Sequence, residues 1–214
     1  MSAENEVKVW DLFVRIFHWS LVLLFIISYL TGDEETDIHF WSGYAIAALV
    51  FTRIIWGFVG SKRARFSDFV YSLATIKAYT KDVIAGSAQR YLGHNPLGGV
   101  MVVALLTSLS LTTLSGMVLL GVEEGEGPFA SLQTAQVSAP TLSLVATAHA
   151  DDDEHEEGHD GVEEEEEEFL EEVHEIFVNV TLLLIVLHIA GVVLESRRHK
   201  ENLAKAMVSG KKRA

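Results

Sequence analysis

The sequence predicts an all-α membrane protein: a four-transmembrane-helix bundle with an amphipathic interfacial helix and a disordered acidic outer loop. Three observations predict it. Four apolar stretches approach the roughly 20 residues needed to cross a bilayer. Basic and acidic residues segregate to opposite ends of those stretches, and histidines recur in three of them at matched depths. The chain has 214 residues, 49% of them hydrophobic, a net charge of −14 and no cysteine. Without cysteine there is no disulfide, no thiolate-ligated iron–sulfur cluster and no thioether-attached haem. No nucleic-acid partner is expected of so acidic a chain.

The spans run over residues 12–30, 39–58, 97–120 and 172–194. The first lacks a small-residue cleavage site and is read as retained rather than as a signal peptide. All 16 Lys and Arg lie in the N-terminal segment, between Arg53 and Arg90, or between Arg197 and Arg213. Of the 30 acidic residues, 23 lie between Asp33 and Asp37 or between Glu123 and Glu175. By the positive-inside rule, both termini, the central loop and the basic tail 195–214 are cytoplasmic in a multi-pass protein of the bacterial inner membrane. The stretch from Phe66 to Tyr91 is too polar to cross. Its apolar residues, from Phe66 and Phe69 through Leu73 and Ile76 to Val83 and Ile84, recur at helical spacing. That predicts a helix lying on the membrane surface or packed as a connector against the bundle.

Ionisable groups inside membrane helices cost a few kcal/mol and mark function by default. His174 and His188 stand fourteen residues apart on one helix face, about 21 Å along the axis. His18 matches His188 in depth from the cytoplasmic side, and His39 matches His174 at the outer surface. Crossing the pairs would ask a metal–ligand bond of about 2 Å to bridge roughly 20 Å. The expected centres are therefore His18–His188 and His39–His174, each gripping one iron porphyrin. Gly43, Gly116 and Gly191 interrupt apolar helices, where a flat macrocycle or a neighbouring helix can approach. Arg15 and Arg53 are placed to pair with haem propionates or to snorkel to lipid phosphates. Met101 and Met117 read as packing.

Arg15-Ile-Phe-His18-Trp, His39-Phe-Trp-Ser-Gly43-Tyr44, Arg53-Ile-Ile-Trp56-Gly57-Phe58 and Gly93-His94-Asn95-Pro96-Leu97 together resemble the bacterial di-haem b-type membrane cytochromes. These are related to the cytochrome b subunits of nickel-iron hydrogenases and formate dehydrogenases. The resemblance covers all four spans and their short junctions, in one cytochrome domain over 1–214. It implies two b haems on the same four histidines. It also implies electron exchange between a quinone near the cytoplasmic haem, ubiquinone or menaquinone, and an outer-face partner such as a c-type cytochrome. His94 and Asn95 fall where the family holds its quinone. Helix initiation, with Pro96 in the first turn and Asn95 as its cap, accounts for the same tripeptide.

The outer loop 122–170 carries the run Glu163–Glu168 and the histidines His149, His155 and His159. Such runs are usually solvated, and this one suits electrostatic docking of a basic partner. A rival reading is a divalent-metal transporter or sensor that gathers ions on this loop. No bond-breaking site is visible. Whether the chain is an oxidoreductase depends on whether the quinone reacts on it.

Overall fold

The computed structural model describes residues 6–32, 36–131 and 160–214. It is built of helices, with one two-stranded ribbon. The helices are α1 Leu12–Leu30, α2 Asp37–Val59, α3 Phe66–Phe69, α4 Leu73–Ala85, α5 Pro96–Glu123, α6 Asp160–His199 and α7 Leu203–Ser209. Four of them are long and apolar enough to cross a membrane: Leu12–Leu30, Asp37–Val59, Pro96–Glu123 and Glu167–His199 within α6. The described residues form two compact units, Met1–Leu111 with Asn179–Ala214, and Thr112–Val178.

The larger unit gathers α1 and α2 with the N-terminal part of α5 and the C-terminal part of α6. Phe17 from α1, Ile46 and Val50 from α2, and Leu106 and Leu109 from α5 form its buried core. Between α5 and α6 the Ser108 and Thr181 hydroxyls meet at 2.6 Å, both fully enclosed. Where hydrocarbon surrounds a bundle, such hydroxyl pairs and close packing hold helices together, because lipid competes for apolar contact. The outward faces of α1 and α6 stay rich in exposed Leu, Ile and Val, as lipid-facing surfaces must.

Polar knots secure the ends of the helices. Asp11 caps α1 by accepting from the Val14 N–H, and its second oxygen accepts from Trp56 Nε1 and Ser61 Oγ. One carboxylate thus ties the start of α1 to the end of α2. Burial alone raises its pKa, but bonds from Ser61, Val14 and Trp56 and the Arg53 charge hold it below the usual range. Asn95 caps α5 by accepting from the Gly98 N–H at 2.7 Å, as the Asn-Pro pair predicts.

Two features differ from the sequence expectation, and a third was not anticipated by it. The segment after Phe66 is two helices, because the Ser72 hydroxyl accepts from the Thr75 N–H and restarts the chain as α4. Gly86, at φ 76, ends α4, a left-handed conformation that favours glycine. Tyr79 is buried and Ile76 and Val83 half-buried, while Leu73 and Ile84 point outward; α4 packs as a connector along one face. The second difference is the start of α6 at Asp160, which corrects the expectation that residues 160–170 belong to a disordered loop. Glutamate is a good helix former, and carboxylates in the opening turns oppose the helix dipole. At 40 residues, α6 measures about 60 Å, twice the hydrocarbon thickness, so it projects beyond the membrane. Finally, the basic tail is ordered: Glu6–Lys8 pairs antiparallel with Lys211–Arg213. That ribbon places both chain ends on one side of the bundle. The loop histidines His149, His155 and His159 lie outside the described residues.

Candidate cofactor site

His18 on α1 and His188 on α6 face one another, with ring centroids 6.4 Å apart and planes at 52°. A metal–nitrogen bond of about 2.0–2.1 Å plus a ring radius of about 1.2 Å on each side puts two trans imidazoles about 6.4 Å apart, centroid to centroid. The observed gap therefore fits one metal held between the rings. Nδ1 of His18 is buried with no hydrogen-bond partner among the described residues, a cost of about 1–3 kcal/mol if nothing else offsets it. Among the described residues, no group of three or more His, Asp or Glu could hold a bare ion. A pair of imidazoles from His18 and His188 would suit a metal that brings further nitrogen ligands of its own, as the iron of a porphyrin does.

His39 sits in the first turn of α2, where Thr36 accepts from its backbone N–H. Its ring Nδ1 lies 2.9 Å from the Ser28 carbonyl oxygen. A carbonyl only accepts, so Nδ1 bears the proton and Nε2 carries the lone pair. In the smaller unit, Nδ1 of His174 lies 3.0 Å from Ser115 Oγ. Ser115 gives its hydroxyl proton to the Thr112 carbonyl at 3.0 Å, so its oxygen accepts from His174 Nδ1–H. Both rings are thereby turned to the Nε2-ligating tautomer, with the proton on Nδ1 anchored to oxygen as in metal-bound histidines. Gly116 makes room for the same ring: a Cβ there would lie 2.9 Å from His174 Cε1.

The other sequence candidates divide. Arg53 is 3% exposed; one nitrogen donates to the Ala64 carbonyl, and Nη1 has no partner among the described residues. That orphaned donor fits an anion. Arg15 instead donates to the Val208 carbonyl at the end of α7, so part of its guanidinium serves the tail. A Cβ at Gly43 or Gly191 would meet nothing within 4 Å. Neither glycine is explained by helix–helix contact, and both leave open space beside a ligand candidate.

His94 is wedged between Trp10 and Phe69, each ring centroid 4.7 Å away. Burial, with the charges of Arg53, Lys212 and His188, pushes its pKa down to about 3. Its ring is neutral at physiological pH, and Nδ1 has no partner among the described residues. Asn95 caps α5, and the Tyr79 hydroxyl lies within its influence. Residues the sequence did not single out complete the picture. Ser28, Ser115 and Thr112 orient histidines, and Tyr79 and Glu195 form a partly buried polar contact. A small polar residue in an apolar helix, one turn from a glycine or facing a histidine, was the available signal for the first group.

A sequence profile of the prokaryotic cytochrome b561 family matches residues 9–210. A probable Ni/Fe-hydrogenase B-type cytochrome subunit of Bradyrhizobium diazoefficiens is 29% identical over 56% of this chain and 60% of its own length. Its Rhodobacter capsulatus counterpart is 22% identical over 98% of the chain and 82% of that protein. The Azotobacter vinelandii counterpart is 30% identical over 46% and 52%. The chain thus spans from about half to four fifths of these relatives. No solved structure matches. With four membrane-length helices, a facing histidine pair and a match over nearly the whole length, the chain belongs to the prokaryotic cytochrome b561 family.

Proposed function

We propose that this chain carries electrons across the bacterial inner membrane through two b haems, between the quinone pool and an outer-face redox protein such as a c-type cytochrome. Family membership implies haem b and membrane electron transfer; the number of haems, the quinone and the partner are our reading. One observation carries it: the 6.4 Å separation of His18 and His188 on two different membrane-length helices. Haem supplies one-electron redox chemistry, and its potential follows the axial ligands and their surroundings.

The residues divide the work. His18 and His188 hold the haem on the side of the ribbon, which we read as cytoplasmic from the basic residues there. His39 and His174 hold the outer one, in tautomers set by the Ser28 carbonyl and Ser115. Arg53 offers its unpartnered Nη1 to a propionate, with Arg15 as the weaker candidate. Gly43 and Gly191 leave room for the macrocycles. The neutral His94 and the amide of Asn95 lie where the quinone reacts, able to bond its oxygens. The acidic stretch before α6 attracts a basic partner on the outer face.

The test is a reduced-minus-oxidised spectrum with haem quantified per chain, followed by mixing with a quinol. Two low-spin b haems per chain, reduced on mixing, support the reading. A colourless protein that binds zinc or nickel instead supports the transporter.

A further inference from the structure

We propose that Tyr79 and Glu195 conduct protons between the quinone site and the water at the C-terminal end of α6, a role that rests on the quinone reading above. Tyr79 is 4% exposed and is the buried residue of α4. Its hydroxyl donates to Glu195 Oε2 at 3.4 Å, and Asn95, the residue that caps α5, lies near enough to the same hydroxyl to influence it. Glu195 continues the line outward. Its carboxylate lies 3.3 Å from His199 Nε2 and 3.7 Å from Arg198 Nη1. One hydroxyl thus stands between the start of α5 and a carboxylate that is 16% exposed, with His199 and Arg198 beside it.

The surroundings suit transfer better than mere docking. Arg198 also donates to the Val83 carbonyl, which fastens α4 to α6 without Tyr79. A carboxylate placed under a helix costs desolvation that an apolar residue would avoid. The other charged and titratable groups nearby are Lys212, which feels the Glu195 charge, Tyr91, whose ring packs edge-on to Tyr79, and the Arg90–Glu201 pair. Burial and the neighbouring carboxylate push the Tyr79 pKa up to about 12. The phenol therefore stays protonated and passes a proton to Glu195 only as it takes one directly from the quinol hydroxyl, because the Asn95 amide orients but cannot donate a proton.

The balance is simple. Oxidation of a quinol to a quinone releases two electrons and two protons. A one-electron carrier held by this chain would take the electrons singly, and the protons leave through Tyr79 to Glu195 and then to water.

The haem-loaded full chain in detergent is mixed with decyl-ubiquinol or a menaquinol analogue, and haem reduction is followed in the Soret and α bands. Glu195→Gln keeps the hydrogen bond to Tyr79 but cannot carry the proton. It is expected to slow reduction by about tenfold or more, to leave dithionite reduction, spectrum and midpoint potentials unchanged, and to recover rate when acetate is added. Tyr79→Phe should slow reduction equally, and the double variant no further. Wild-type rates in Glu195→Gln overturn the proposal, as does slowing that acetate does not relieve. A wild-type chain that dithionite reduces and quinol does not would instead overturn the quinone reading itself.

Discussion

Ser115 fixes the tautomer of His174. Its single hydroxyl proton goes to the Thr112 carbonyl, so its oxygen has only a lone pair to offer the ring at 3.0 Å. Ser115→Ala should leave the ring free to rotate and weaken the outer haem by about 10–100-fold, the usual effect of losing such a partner. Haem content after gel filtration checks this. An unchanged haem ratio and unchanged midpoint potentials would remove Ser115 from the site.

Gly116 should tolerate nothing larger. In Gly116→Ala the added methyl would meet His174 at 2.9 Å, and both groups lie on rigid helices. We expect loss of the outer haem with the inner one retained, read from the halved α-band. Full haem loading in this variant would mean that His174 is not a ligand.

The two centres should be separable by ligand. His188→Ala should abolish the His18 site and spare the other, and His174→Ala should do the reverse. Redox titration of each variant should show one component where the wild type shows two. Simultaneous loss of both haems in either variant counts against independent sites.

His94 sets an acid limit on stability. Its folded pKa of about 3 lies below the ordinary histidine value of 6.5, so the unfolded chain binds the proton more readily. Stability from this group is therefore complete above about pH 6.5 and falls as pH drops toward 3. His94→Gln, neutral throughout, should flatten that part of the thermal-midpoint profile between pH 7 and pH 5. A profile of unchanged slope would show that His94 is not held neutral in the fold.

The Ser108–Thr181 contact should behave as membrane glue. A double-mutant cycle with Ser108→Ala and Thr181→Val should give a coupling of about 0.6–1.7 kcal/mol. Zero coupling would mean that the hydroxyls merely coincide.

Much of this was legible in the sequence, for physical reasons. Long apolar runs are strong local signals: the first span matches α1 to the residue, and His18 and His188, expected to pair by depth, have ring centroids 6.4 Å apart. The Asn95 cap was equally local. What escaped depended on partners distant in the chain. Nothing near Ser72 announces a helix break except its own hydroxyl, and the acidic run concealed the first turns of α6 because polarity alone does not separate helix from loop. Ser115, Tyr79 and Glu195 acquire meaning only when His174 or Asn95 stands beside them. The pairing of Glu6–Lys8 with Lys211–Arg213 joins segments with no sequence periodicity at all.

The central claim is that imidazoles from separate membrane helices clasp iron at two levels. Low-temperature electron paramagnetic resonance of the oxidised protein, with haem quantified on the same sample, tests it most directly. The account predicts two low-spin ferric signals and two haems per chain, one signal vanishing in His18→Ala. A single haem, or a high-spin signal that His18→Ala leaves untouched, would contradict it.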